Sequence, residues 1–241
     1  MSTDIEIGRV EAGGVGALTA RAATRSVFES GLVRIMEWPS YAEAFPGKRM
    51  PVPEQVLAWF GVFAEGMMRY ADMYFGIYLE MKGVVDFFRS RPANGLTEAE
   101  SAVRDAAVAQ GGMTSTAKGW RTTPGGKCRG VIIVNAELCA EDGVPESAII
   151  KHETSHLLYK ENPRYQRRVH STFKRMSERG RWSTVAALES DGYSDPTREK
   201  DEWAAIIVSD ARWRLRKKVK LTKADVDLQR QLRQEFEEAQ A

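Results

Sequence analysis

Between Val56 and Phe88 the apolar residues recur three and four apart. Leu57, Phe60, Phe63, Met67, Tyr70, Tyr74, Ile77, Tyr78, Met81, Val85 and Phe88 trace one stripe of a helix, with Gly61, Gly66, Gly76 and Gly83 dividing it. This spacing predicts a packed helical core rather than a cofactor box. A further helix opens at Thr97, which can cap it, and Glu100 three residues on completes a capping box; the helix should end near Gly111-Gly112. Residues 1–25 are rich in Gly, Ala, Ser and Thr with little periodicity, so a flexible leader is expected there. A helical N-terminal part, residues 26–112, follows it.

Beyond residue 112 the pattern changes. Residues 113–128 carry the small polar residues and Pro-Gly-Gly of turns, and Gly130 to Asn135 is a short β-branched run that predicts a buried strand. Asp142-Gly143 marks the turn out. Pro145 and Glu146 suit a helix start, and Ile149, Ile150, Leu157 and Leu158 supply a buried stripe up to Asn162-Pro163. Another helix is expected over residues 196–208, with Thr197 near its start and Trp203, Ile206 and Ile207 buried. A polar helix should run from Thr222 to Ala241.

The helix after Pro145 contains His152-Glu153-Thr154-Ser155-His156, an HExxH pattern that uses two of the three histidines in the chain. Residues four apart stack on one helix face, so both imidazoles can reach one Zn²⁺ at about 2.0–2.1 Å. Glu153 sits beside them, placed to act as a general base without being a ligand. Two surface histidines on an amphipathic helix are the plain alternative. The apolar residues on both sides of the motif argue for burial, where unliganded imidazoles are costly. Lys151 is expected to reach solvent.

A catalytic zinc site takes three protein ligands and leaves one position open. The HExxHxxGxxH pattern is excluded, because Tyr159 and Asn162 stand where Gly and His would be needed. His170 is an unusual candidate among basic neighbours. The better candidates are acids of the 196–208 helix. Glu202 lies where charge gives way to the apolar run, and the small Ala205 one turn later allows close helix approach. Glu199 is the second choice and Asp201 the third, the competing reading being a cluster of acids at a helix start.

HETSH followed at a distance by Glu202-Trp203-Ala204-Ala205 resembles the gluzincin zinc metallopeptidases, most of all the anthrax lethal factor catalytic domain and related bacterial toxin or effector proteases. The resemblance covers roughly residues 130–210 and implies an α+β, zincin-like fold with a small mixed sheet and an active-site helix. It implies His152, His156 and Glu202 as zinc ligands and Glu153 as base. It also implies Tyr193 as a tyrosine that stabilises the tetrahedral intermediate. In such folds the strand before the active helix commonly lies at a sheet edge and pairs with an extended substrate; residues 131–135 suit that role or that of an internal strand. Residues 113–241 would then form the catalytic part, in one compact unit with 26–112.

Composition narrows the picture only slightly. Thirty-five Lys plus Arg against 33 Asp plus Glu leave a net charge of +2, which points to no nucleic acid or membrane partner. Cys128 and Cys139 are too few for a disulfide framework. No apolar run suits a Sec signal or a membrane span, so synthesis in a bacterial cytoplasm is expected, with release into host cells by a dedicated secretion apparatus. The expected function is a zinc-dependent endopeptidase acting on a protein or peptide substrate, including a host protein. Two rivals are a phage or mobile-element zincin-fold protein with a processing or binding role, and a nucleic-acid-binding module. The latter would use residues 211–220, where six basic side chains surround Trp213; a solvated face balanced by the acidic tail explains that run more simply.

Overall fold

Gly13 and Gly14 both adopt left-handed backbone, with φ of 59° and 81°. Two such residues in succession make the turn that matches the natural twist of a hairpin. They join β1 (Ile5–Ala12) to β2 (Val15–Ala22). The computed structural model describes residues 5–63, 71, 74–90, 94–190, 195, 198–209 and 219–240. The expected leader is therefore corrected: residues 5–22 are strands, and β2 buries Ala17, Leu18, Ala20 and Ala22.

The chain divides into two compact units, Met1–Val10 with Val15–Glu146, and Glu11–Gly14 with Ser147–Ala241. In the first, β2 leads through a π-helical stretch (Val27–Leu32) into α1 (Val33–Ala44) and α2 (Pro53–Phe63). Then come β3 (Gly76–Glu80), α3 (Met81–Arg89) and α4 (Glu98–Ala109). A small hairpin of β4 (Met113–Thr116) and β5 (Gly119–Thr122) precedes β6 (Cys128–Asn135) and α5 (Ala136–Glu141). The main sheet has the order β1-β2-β6-β3, with β6 parallel to β2 and antiparallel to β3. A small mixed sheet among many helices makes the class α+β.

Three further expectations change. The apolar stripe over residues 56–88 is not all helix: Gly76–Glu80 is a strand, its Ile77 and Tyr78 registered opposite Ile133 and Ile132. Spacings of three and four hid the shorter period, and residues 64–70, 72 and 73 lie outside the described residues. The turn-rich stretch after residue 112 contains the β4–β5 hairpin. The unit boundary falls at Glu146–Ser147 rather than near residue 112, because β6 pairs with β2 and β3.

β6 is internal, with hydrogen-bonded neighbours along both edges, so it cannot receive a substrate strand. Gly130 on β6 is required by close approach. A Cβ there would lie 2.3 Å from Tyr78 Cε2 and 2.5 Å from the Leu79 carbonyl.

The first core gathers Phe28, Leu32, Ile35, Met50, Val84, Phe87, Val103 and Ile133. Within it Arg34 and Glu100 form a buried two-pronged pair, Nε to Oε1 at 2.8 Å and Nη2 to Oε2. Glu100 also accepts from the Thr97 backbone N–H at 2.8 Å, so the capping box expected at Thr97 is present and tied to the core.

The second unit is helical: α6 (Glu146–Glu161), α7 (Pro163–Arg175), α8 (Glu178–Ser190), α9 (Glu199–Val208) and α10 (Lys223–Gln240). Its core holds Leu158, Tyr165, Val169, Phe173, Leu188, Trp203, Ile206, Leu232 and Phe236, with Phe173 edge-on to Trp203 at 5.2 Å. Asn162 caps α7 by accepting from the N–H groups of Arg164 and Tyr165, with Pro163 as its first residue. Asp225 anchors the start of α10, accepting from the backbone N–H and hydroxyl of both Ser177 and Thr222 at 2.7–2.9 Å. No described helix is long and apolar enough to cross a membrane.

Candidate metal centre

α6 is held on its packed side by Leu157 and Leu158, both fully buried, and by a buried contact between the Ser155 and Tyr165 hydroxyls at 3.0 Å. That leaves His152, Glu153 and His156 on the side toward α9, while Lys151 is exposed, as its charge demands. The two imidazoles lie one turn apart with ring centroids 5.0 Å apart and planes at 78°. α9 brings Glu202 against them through a helix buried along its length by Trp203, Ala204, Ala205, Ile206 and Ile207.

Three side chains converge. His152 Nε2 lies 3.3 Å from His156 Nε2 and 3.5 Å from Glu202 Oε2, and His156 Nε2 lies 3.7 Å from Glu202 Oε1. A tetrahedral ion with bonds of about 2.1 Å sets its ligand atoms about 3.4 Å apart, so these separations match such an ion. Glu202 is 5% exposed, and its Oε2 has no hydrogen-bond partner among the described residues. A buried carboxylate oxygen without a donor is costly unless a cation meets it. The His152, His156 and Glu202 group can thus hold a metal ion.

The electrostatics agree with the geometry. Burial opposes charge on His156, yet the hydrogen bond it donates to Asp201 and the negative charges of Asp201, Glu202 and Glu153 outweigh it and raise its pKa to about 9. Burial alone would raise the Glu202 carboxyl; the neighbouring His152 and His156 rings, with Arg198, instead hold it below its usual range. The site is built to attract positive charge.

Of the other candidates, Asp201 is not in the cluster. Its Oδ1 lies 2.8 Å from His156 Nδ1, on the opposite side of the ring. Glu199 begins α9 and is not part of the clustered group. His170 is exposed and its Nε2 lies 2.6 Å from the Tyr159 hydroxyl, which removes it from the site. Sequence reasoning missed both the Asp201–His156 contact and the Tyr159–His170 pair; the adjacency of Asp201 to Glu202 was the available signal for the first. Tyr193, Thr197 and the basic residues 211–218 lie outside the described residues. Cys128 and Cys139 are free and buried, and burial pushes both thiols up, Cys139 to about 11, so neither offers a thiolate at neutral pH.

Comparison with protein-family models, with curated proteins and with solved structures finds no match to this chain.

Proposed function

We propose that this chain is a zinc-dependent endopeptidase of zincin type, hydrolysing peptide bonds in a protein substrate. The observation that carries the proposal is the convergence of an i, i+4 histidine pair and a remote glutamate, with donor atoms 3.3–3.7 Å apart beside the buried Glu153. His152, His156 and Glu202 would hold the ion, a set of hard and borderline donors that suits Zn²⁺. When bound, zinc would supply a Lewis acid that polarises a carbonyl and brings the pKa of a water to about 7. Glu153 takes the proton from the attacking water and passes it to the leaving amine nitrogen, a role that its place next to His152 and its charge felt at His156 support. Tyr193 is assigned the oxyanion donor's role through the resemblance to gluzincins. The same resemblance supports a bacterial effector or toxin acting on a host protein.

The test is direct. Purified protein should contain about one zinc per chain, and Glu153→Gln should keep both the zinc and the fold while peptide cleavage falls by about 10²–10⁴-fold, the usual worth of a general base. Incubation with a proteome should create new N-termini that vanish with Glu153→Gln. An equally active Glu153→Gln protein would refute the assignment.

A further inference from the structure

The His156 ring faces two ways. Its Nε2 points to His152 and Glu202, while its Nδ1 meets Asp201 Oδ1 at 2.8 Å. An ionised carboxylate can only accept, so this contact keeps a ring proton on Nδ1 and makes Nε2 the nitrogen that faces the cluster and would meet a metal. We propose that Asp201 is a positioning residue that fixes the tautomer and orientation of His156 for metal binding, and is not itself a ligand. This rests on the metal-site reading above.

Two geometric facts support it. The ring nitrogens diverge across the imidazole, so a carboxylate bonded to Nδ1 lies on the far side of the ring from an ion at Nε2. Asp201 and Glu202 are also successive helical residues, about 100° apart around α9, so one helix turn can send one acid to the ion and the other behind the ring. Both acids are buried, Asp201 at 8% exposure, which keeps water from competing for Nδ1. Carboxylates behind ligating histidines hold the ring against rotation and raise its basicity.

The experiment compares wild type, Asp201→Ala, Asp201→Asn and His156→Ala for Zn²⁺ dissociation constant, by competition with a chromophoric chelator. It adds the NMR signal of the His156 Nδ1 proton in zinc-loaded protein. Asp201→Ala should weaken zinc binding about 10–100-fold. Asp201→Asn keeps an oxygen acceptor and the shape of the side chain, so it should lose less than Asp201→Ala. The Nδ1 proton should exchange slowly in wild type and in Asp201→Asn, and be lost from view in Asp201→Ala. A purely structural role would lower the melting temperature and leave that proton and the zinc constant unmoved. Asp201→Ala binding zinc as tightly as wild type would overturn the proposal. So would both Asp201 variants losing zinc as completely as His156→Ala, since that would make Asp201 a ligand. A wild-type protein that binds zinc but cleaves no peptide would sink the peptidase reading and leave the Asp201 comparison intact.

Discussion

Replacing His156 with alanine should separate two contributions that the structure superimposes. In metal-free protein the substitution removes the donor that meets Asp201 at 2.8 Å and leaves that carboxylate 8% exposed without its partner. A hydrogen bond to a charged group is worth about 1.5–3 kcal/mol, so the metal-free variant should be less stable by that amount. In wild type, zinc at a hundred times its dissociation constant should add about 2.7 kcal/mol under the proposed assignment, in which the ion binds only the folded arrangement of the three donors. Lacking one donor, the variant should gain almost none of this. At about 2–4 °C per kcal/mol for a chain of this size, zinc should raise the wild-type melting temperature by about 5–11 °C. Differential scanning calorimetry of chelator-stripped and zinc-loaded samples of both proteins measures the four values. An equal zinc-dependent rise in His156→Ala, or none in wild type, would refute the assignment of these atoms to a metal.

Away from the site, Glu100→Ala should cost about 3–5 kcal/mol in denaturant titration, since it takes the neutralising carboxylate from the buried Arg34 guanidinium and breaks the α4 capping box. Gly130→Ala should cost at least about 1–3 kcal/mol, because a methyl group there meets the Tyr78 ring and the Leu79 carbonyl at distances no real Cβ shows. Burial works against the Asp225 carboxylate, but the donors of Thr222 and Ser177 hold its pKa below the usual value. Its stabilisation should therefore be complete above the unfolded value of about 3.9 and disappear as pH falls through the lower folded value. The stability gap between wild type and Asp225→Asn, followed by urea titration from pH 7 to pH 3, should narrow only below about pH 4.

The helix that carries the histidine pair was legible because its information is local. Two histidines four apart face the same way on any helix, and the apolar residues around them state that the helix is packed. Glu202 could be ranked above its neighbours from the switch between charged and apolar residues. What Asp201 does could not, because its contact with His156 depends on the rotation of α9 against α6, which no spacing along the chain records. The β1–β2 hairpin was missed for another reason. Its small residues blur the alternation that marks a strand, although Gly13-Gly14 is the turn chemistry that a tight hairpin demands. β3 was absorbed into a helical stripe because five residues are too few to separate a period of two from one of 3.6 when most positions are apolar. The place of β6 inside the sheet rests on pairing with β2 and β3, both distant in sequence.

The histidine pair and its acid partners form on different timetables. Residues 152 and 156 meet as soon as one coil of α6 winds, whereas Asp201 must close a span of 45 residues to reach His156. An ion present from the start of refolding would therefore first clasp the nascent pair and seed that coil, and only later draw α9 into place. Adding the same ion after collapse would meet a finished socket, so the order of mixing, and not only the final concentration, should set how fast the second unit recovers its native signal.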